Sequence, residues 1–295
     1  MLALGVDIGG TNARAAVVDQ AGGRVVVSAK EPLADRSPDG IASVIHSLVE
    51  RVGRGHPVAG APIGVGLAGM LREDVVVNAP NLGWRDVEFG GRLARRLGRP
   101  VRLVNDLSAA AWGELKGGAA RGATDVFTVF VGTGVGSALV AGGRLVTGAT
   151  GVAGEFGHVK LVAEGGRACG CGQLGCLEAY VGGARLQAWM SEAGVAGTPA
   201  DLERLAHEGE AVAKGLYDYA VGHLALAIAN QVTVLNPEVV VLGGGVLTRC
   251  PGMVQRITDV VAARASVAAR QPLRIRLAEL GDDSGLVGAA LLAIG

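Results

Sequence analysis

The sequence is poor in aromatic residues and carries no excess charge of either sign. Phe, Trp and Tyr make up 3% of its 295 residues, so the core must be built from Val, Leu, Ile and Ala. Lys and Arg number 27, and Asp and Glu also number 27. This balance argues against a nucleic-acid or polyanionic partner bound by bulk charge, although a local phosphate site is compatible with it.

Long apolar runs and a basic N-terminal segment are also missing. No apolar run is long enough to cross a bilayer, so we expect no membrane partner. The opening MLALGVDIGG has no basic start and Asp7 interrupts it, which argues against a signal peptide. We therefore expect a soluble cytoplasmic protein, and reduced cysteines that are available to a metal fit that compartment.

Glycine is abundant, at 49 residues, and many glycines fall at turns between apolar runs. Apolar runs predict strands at 2–8, 14–19, 24–30, 62–67, 101–104, 125–131, 137–141, 238–242 and 273–277. Helical spacing predicts helices at 38–52, 89–97, 177–190, 199–206, 212–235, 254–263 and 284–294, with a further helix that begins at Leu107. Strands interleaved with helices predict an α/β fold.

The second half of the sequence repeats the first. The strand, glycine turn and returning strand near residue 9 recur near residue 132, and a shift of 123 residues superposes Gly9 on Gly132 and Thr11 on Gly134. Strand–glycine–strand patterns are common, but the matching order of strands in both halves predicts a duplicated unit.

A short segment at 154–178 contains a set of metal-ligand side chains, His158, Cys169, Cys171 and Cys176. One imidazole and three thiolates suit a tetrahedral zinc ion, and a complete set of four predicts a structural site. A flexible loop with unrelated thiols is the alternative. A disulfide is less favoured, because Cys-x-Cys is badly placed for bridging and three is an odd number.

Three glycine turns, at 9–12, 132–136 and 243–245, each follow an apolar strand. Glycines let backbone N–H groups approach an anion, although each turn taken singly is more typical of an ordinary hairpin or strand–helix connection than of a ligand site. None matches a P-loop, and GTGVGS leads into a strand, which is unlike a dinucleotide motif. Together the turns predict nucleotide binding. Asp7 lies within a buried strand, and a nucleotide-bound magnesium ion would give it a cationic partner.

Asp106 follows a predicted buried strand and precedes a predicted helix. It could serve as the N-cap of that helix, a role that Asp fills well. It could also act as a general base for a substrate hydroxyl that attacks a phosphoryl group, because ligands of α/β sheets bind at the carboxyl ends of strands. The two roles are compatible.

Several motifs together resemble the ROK family of bacterial sugar kinases and sugar-responsive repressors. They are VDIGGTN, the Pro80-Asn81 loop, Val104-Asn105-Asp106, VFVGTGVGS, GEFGH, the CGCGQLGC cysteines and VLGGG. They run from Val6 to Gly245 and so cover nearly the whole chain. The resemblance implies a duplicated actin-like, ribonuclease-H-like fold of two domains with an interdomain cleft. It places the domains at 1–108 with 283–295 and at 109–282.

The resemblance also implies a role for each site residue. Asp106 would be the general base, and the sugar hydroxyls would be held by Asn81, Asn105, Asp106, Glu155, His158 and Glu178. His158 would bind zinc through one ring nitrogen and the sugar through the other. The donor would be ATP with Mg²⁺ near Asp7. Its phosphates would lie against Gly9, Gly10, Thr11, Asn12, Thr133 and Gly134, and its adenosine against Gly243 and Gly244.

The expected reaction is phosphorylation of the 6-hydroxyl of a hexose, with glucose favoured and with zinc as a structural ion. N-Acetylmannosamine or N-acetylglucosamine kinase is the nearest alternative, and fructokinase is less favoured. A sugar-sensing repressor is opposed by the retained Asp106 and by a sequence that begins close to the first glycine turn. Asn12 stands where many relatives carry Lys, which puts one direct phosphate contact in doubt. ATP is favoured over polyphosphate, and we expect a homo-oligomer, a dimer or tetramer, with 212–235 as a possible dimer face.

Overall fold

The computed structural model describes residues 1–295, and the chain divides into two compact units. The first unit comprises Met1–Gly122, Leu145–Ala153 and Glu279–Gly295. The second unit comprises Ala123–Arg144 and Gly154–Ala278. The domain limits expected from the sequence stay a prediction beside these contact-defined units.

The first unit is built on a five-stranded sheet. Its elements are β1 (Leu2–Ile8), β2 (Asn12–Asp19), β3 (Arg24–Pro32), α1 (Pro38–Gly53), β4 (Ile63–Leu67), β5 (Met70–Arg72), β6 (Val75–Ala79), β7 (Trp84–Glu88), α2 (Phe89–Leu97), β8 (Val101–Asn105) and α3 (Asp106–Gly117). The strand order is β3-β2-β1-β4-β8, in which β1 pairs antiparallel with β2 and parallel with β4. A separate sheet of β5, β6 and β7 was not predicted from the sequence.

The second unit has a five-stranded sheet of the same topology. Its elements are β9 (Val126–Val131), β10 (Val135–Ala141), β11 (Arg144–Leu145), α4 (Glu178–Val181), α5 (Gly183–Glu192), α6 (Pro199–His207), α7 (Ala211–Leu235), β12 (Val239–Gly243), α8 (Pro251–Arg264), α9 (Val267–Arg270) and β13 (Arg274–Leu277). The order β11-β10-β9-β12-β13 repeats an antiparallel meander followed by two parallel strands. The predicted duplication is therefore confirmed.

The chain ends in α10 (Ser284–Ala293), which packs into the first unit at very short range. A Cβ added to Gly64 would lie 1.7 Å from Ala289 O, and one added to Gly288 would lie 1.6 Å from Ala109 O. No side chain fits such gaps, so glycine lets the backbones of α10, β4 and α3 touch. Glycine at these contacts allows the close approach, and Leu286, Val287 and Leu291 of the same helix are buried as well.

The predicted helix at 177–190 is wrong as a single element. Gly182 has an extended backbone with ψ 131° and separates α4 from α5. The amide of Gly183 then donates to Gly132 O at 2.8 Å, and a Cβ on Gly183 would lie 2.5 Å from that oxygen. The helix is therefore interrupted because its second half is anchored to the second glycine turn.

The long helix at 212–235 is confirmed as α7. Leu224, Ile228 and Val232 are buried, whereas Val212 and Leu235 near its ends are exposed. Many of the buried positions are alanines spread around the helix, including Ala213, Ala220 and Ala229. Packing of small residues on several faces makes this helix a central element of the core. None of the helices combines the length and the hydropathy that a bilayer span needs.

Candidate functional site

The first glycine turn lies at the carboxyl end of β1. The Gly9 amide donates to Asn12 O at 2.9 Å, and Asn12 Nδ2 donates to Thr11 Oγ1 at 2.8 Å. Gly10 lies beside Asn81, because a Cβ on Gly10 would be 4.0 Å from the Asn81 Cβ. The residues expected at the phosphates and one residue expected at the sugar are therefore neighbours within the first unit.

Asp7 is a mostly buried carboxylate next to this turn. Burial, and to a lesser extent the negative charge of Asp106, raise the pKa of Asp7 to about 6 against the opposing effect of Arg14. The guanidinium of Arg14 is already engaged, since it donates to Asp282 O at 2.6 Å and pairs with the Asp283 carboxylate. Two nearby carboxylates in a desolvated place favour a cation, and oxygen donors of this kind suit Mg²⁺. Asp7 and Asp106 could hold Mg²⁺ directly or through water.

Asn105, and not Asp106, is the N-cap of α3. The Asn105 Oδ1 accepts the amides of Leu107 at 3.0 Å and Ser108 at 3.1 Å, while its Nδ2 donates to Gly69 O at 3.2 Å. Asp106 is the first helical residue, and its Oδ1 accepts the Leu107 amide at 3.0 Å. The capping role considered for Asp106 is thus filled mainly by its neighbour. One N–H of the Asn105 amide is left for a ligand.

The second glycine turn is supported by a carboxylate and by a helix start. Glu178 Oε2 accepts the Val135 amide at 2.9 Å, and a Cβ on Gly134 would lie 2.4 Å from that carboxylate oxygen. The amides of Gly183 and Ala184 donate to Gly132 O and Thr133 O at 2.8 and 3.1 Å. The turn is therefore rigidly held within the second unit, as a preformed anion cradle requires.

A cavity of about 480 Å³ opens beside this second turn. Its walls come from the turn, the start of α5, the start of α6 and the segment after β12, and include Gly132, Thr133, Gln187, Pro199, Gly245, Val246 and Arg249. Gly243 and Gly244 do not line it. A Cβ on Gly243 would lie 2.5 Å from the Phe130 ring, and Gly244 has φ +87°. These two glycines allow β12 to end tightly against β9.

The predicted metal ligands lie together in the second unit. The ligand atoms of His158, Cys169, Cys171 and Cys176 all lie within 4.8 Å of one another. Cys171 Sγ is 3.7 Å from Cys176 Sγ, and Cys169 Sγ is 3.6 Å from His158 Nδ1. None of the four cysteines forms a disulfide, and Cys250 is buried elsewhere.

These distances fit a zinc ion. A tetrahedron with Zn–S bonds of about 2.3 Å has sulfur–sulfur edges of about 3.8 Å, close to the observed separation. Burial raises the pKa of the Cys169 thiol, so metal binding must displace a proton from it. The donor set of one imidazole and three thiols is typical of a closed structural site, and zinc is the metal that these residues could hold.

The two nitrogens of His158 face different partners. Nδ1 points to the cysteine cluster, whereas Nε2 lies 3.5 Å from Glu155 Oε2. Glu178 Oε1 lies 3.9 Å from Cys169 Sγ, so a second carboxylate borders the same cluster. Glu155, His158 and Glu178 are therefore brought together, and a metal bound by the cluster would fix the orientation of the imidazole.

Sequence reasoning missed two buried glutamates that hold segments near these sites. Glu114 in α3 accepts the amides of Ala119, Glu279 and Leu280 at 2.9–3.0 Å, where the chain re-enters the first unit. Glu203 in α6 accepts the amides of Gly252 and Met253 at the start of α8, and also the Tyr217 hydroxyl. An acidic residue among apolar neighbours, as in SAAAWGEL, was the available signal.

The expected site residues thus form two groups, one in each unit. The first unit brings together Asp7, Gly9, Gly10, Thr11, Asn12 and Asn81, with Asn105 and Asp106 at the neighbouring end of β8. The second unit brings together Gly134, Glu155, His158 and Glu178 with the three cysteines. Each group combines a glycine turn with polar side chains at the carboxyl end of a sheet, where α/β proteins bind ligands.

Sequence comparison finds one family over nearly the entire chain. The profile described as ROK family matches residues 3–295. A glucokinase of Streptomyces coelicolor is 33% identical over 99% of this chain and 97% of its own length. An N-acetyl-D-glucosamine kinase of Escherichia coli O6:H1 is 31% identical over 98% of both chains.

Solved structures give the same result for the fold. The ROK hexokinase from Thermus thermophilus superposes with a TM-score of 0.87 at 34% identity, over 100% of this chain and 98% of that one. A ROK family glucokinase from Streptomyces griseus, in complex with glucose and AMPPNP, gives a TM-score of 0.81 at 32% identity, over 100% and 99%. The expected actin-like, ribonuclease-H-like ATPase fold is confirmed.

Proposed function

Because this chain belongs to the ROK family, we propose that it is a sugar kinase that transfers the terminal phosphoryl group of ATP to the 6-hydroxyl of a hexose, with glucose favoured. The observation that carries the proposal is Asp106 in the first turn of α3, with Asn105 filling the cap and Asp7 close by. The glucokinase relative and the neighbour with bound glucose and AMPPNP support this choice of substrates.

Asp106 acts as the general base. Its carboxylate accepts the proton of the attacking sugar hydroxyl as the oxygen bonds to the phosphorus of the transferred group, and ADP leaves. Magnesium, when bound, neutralises the phosphoryl charge that develops. Asp7 provides a negative charge beside the expected magnesium position. The amides of the glycine turns stabilise the phosphate oxygens.

The donor is a nucleotide rather than polyphosphate. The cavity beside Gly132 and Thr133 is closed by small and apolar residues such as Pro199 and Val246, and Arg249 is the cationic residue among its lining side chains. Such a pocket accommodates a nucleoside, whereas a polyphosphate chain needs a run of basic residues. Gly9, Gly10, Thr11, Asn12, Thr133 and Gly134 hold the phosphates.

The sugar is held by hydrogen-bonding side chains. Asn81, Asn105, Glu155, His158 and Glu178 match its hydroxyls, and each hydroxyl left unmatched costs roughly 1–3 kcal/mol. His158, Cys169, Cys171 and Cys176 could hold zinc, which would fix the imidazole for this contact. The N-acetylglucosamine kinase relative supports a second candidate, a kinase of N-acetylhexosamines.

A coupled assay of ADP formation tests the proposal. Purified protein is supplied with MgATP and in turn with glucose, mannose, fructose, N-acetylglucosamine and N-acetylmannosamine, and then with polyphosphate in place of ATP. We expect the highest kcat/KM with glucose and ATP. Preference for an N-acetylated sugar would transfer the assignment to the second candidate, and no phosphorylation of any of the five sugars would overturn both. Cytoplasmic location and homo-oligomeric state stay predictions.

A further inference from the structure

Lys160 is held opposite one of the cysteine ligands by the backbone. Lys160 and Cys176 form an isolated antiparallel bridge. The bridge is fixed on both sides, because the Leu161 amide donates to Gly175 O at 2.8 Å and the Leu177 amide donates to Val159 O at 2.9 Å. Directly opposed residues of an antiparallel pair have neighbouring side chains. The backbone pairing therefore places the Lys160 side chain next to the Cys176 sulfur.

The side chains of the pair make a direct contact. Lys160 Nζ donates to Cys176 Sγ at 3.0 Å, which is short for a hydrogen bond to sulfur. Cys176 is fully buried, whereas Lys160 is exposed. The lysine thus stays hydrated on most of its ammonium group while one N–H reaches a buried metal-ligand atom.

The charge of the cluster favours such a contact. Three thiolates and a neutral imidazole around Zn²⁺ carry a net charge of minus one, because the ligands must be deprotonated to bind. Glu155 Oε2 lies 3.5 Å from His158 Nε2, and Glu178 Oε1 lies 3.9 Å from Cys169 Sγ. These two carboxylates add to the negative potential at the cluster. A cation at the sulfur opposes this potential.

We propose that Lys160 is a positioning residue of the zinc centre: its ammonium group hydrogen-bonds the Cys176 thiolate, offsets the negative charge of the cluster and slows the loss of the metal. The inference rests on the zinc site of the proposed function and adds a residue to it. A partner of this kind, beyond the direct ligands, typically changes metal affinity by about 10–100-fold.

Zinc release provides the first test. Zinc-loaded protein without sugar or nucleotide is mixed with an excess of a chromogenic chelator, and the release rate is recorded. Lys160→Met keeps the length of the side chain but removes the charge and the donor, and we expect release about tenfold faster. Lys160→Arg keeps both and should release zinc at the wild-type rate. Lys214→Met, which removes another exposed lysine of the second unit that is paired with Asp218, is the matched control.

Cobalt substitution provides a spectroscopic signature that a merely structural role would not produce. A hydrogen bond lowers the energy of the sulfur lone pair, so its loss in Lys160→Met should shift the thiolate-to-cobalt charge-transfer band to longer wavelength. Lys160→Arg should keep the wild-type band. Wild-type release and spectrum in Lys160→Met, or equal defects in the Met and Arg variants, would overturn the inference. Wild-type protein without zinc would overturn the zinc site itself, which separates the two failures.

Discussion

The two units share a sheet topology but support their glycine turns differently. In the first unit the turn follows a strand that contains the buried Asp7, whose pKa is raised by burial and by Asp106. At the equivalent place, 123 residues later, the second unit has Phe130, and its turn is held by the Glu178 carboxylate and the amides of Gly183 and Ala184. The first unit therefore has a carboxylate, Asp7, at its turn. In the second unit the Glu178 carboxylate instead accepts a backbone hydrogen bond that supports the turn.

The helices that cover the two sheets differ in the same way. In the first unit α10 approaches α3 and β4 closely enough that Gly64 and Gly288 can carry no side chain. In the second unit α6, α7 and α8 are joined through the buried Glu203, and the loop at 154–178 is joined through the cysteine cluster. The first unit therefore relies on close backbone packing of α10 and the second on the cysteine cluster, while each unit also uses one buried glutamate as a side-chain tether.

Gly288→Ala should break the backbone packing of the first unit. The added Cβ would lie 1.6 Å from Ala109 O, so α10 and α3 must separate, and we expect a loss of about 3 kcal/mol or more of unfolding free energy. Gly222→Ala in α7 is the matched control in the second unit, because nothing lies within 4 Å of its Cβ. It should gain about 0.5–1 kcal/mol. Equal stability of both variants in urea unfolding would contradict this contrast.

Cys171→Ser should break the side-chain tether of the second unit. We expect loss of stoichiometric zinc, faster proteolysis within 154–178 and weaker sugar binding, because the cluster no longer orients His158. Metal analysis, limited proteolysis and calorimetric titration with glucose measure these effects. Cys250→Ala removes a cysteine outside the cluster and should retain zinc. If Cys171→Ser keeps its zinc and its sugar affinity, the cluster is not what holds the loop.

Asp7→Asn should stabilise the first unit when magnesium and nucleotide are absent. Because the pKa of Asp7 is raised from 3.8 to about 6, the folded state loses stability as the pH rises through this interval, and the full penalty is present above it. The amide removes a penalty of up to about 3 kcal/mol at pH 8, and the gain should disappear near pH 3. Thermal unfolding at both pH values measures it. A less stable variant at pH 8 would contradict the burial argument.

Much of the fold could be predicted because long apolar runs define the central strands. LALGVDI, VFTVFV and VVVLG are buried almost throughout, and their glycine turns recur at the same spacing in both halves. The sheet of β5, β6 and β7 was missed because MLR and WRDVE are short and largely exposed, so they lack an apolar run. The break at Gly182 was missed although the Gly182-Gly183 pair is a local break signal, and the Gly183 amide is in addition anchored to the distant Gly132.

The candidate site was predictable where one motif contains the chemistry. The spacing of His158 and the three cysteines was enough to predict their cluster, since chelation demands those residue types. The sequence did not predict which of Asn105 and Asp106 caps α3, because both residue types cap helices well. The directions of the two side chains decide it, and Asn105 is the cap. The roles of Glu203 and Glu114 were not predictable from a local pattern. Glu203 accepts an amide that is 49 residues away along the chain, and Glu114 accepts one that is 165 residues away.

The most direct test of the proposed mechanism is the turnover of Asp106→Asn, compared with Asp39→Asn. Both residues are acidic and lie in the first turn of a helix, Asp106 in α3 and Asp39 in α1. With glucose and MgATP we expect Asp106→Asn to bind glucose with nearly unchanged affinity and to lose kcat by about 10²–10⁴-fold, while Asp39→Asn keeps wild-type turnover. Wild-type kcat in Asp106→Asn would contradict its role as the general base.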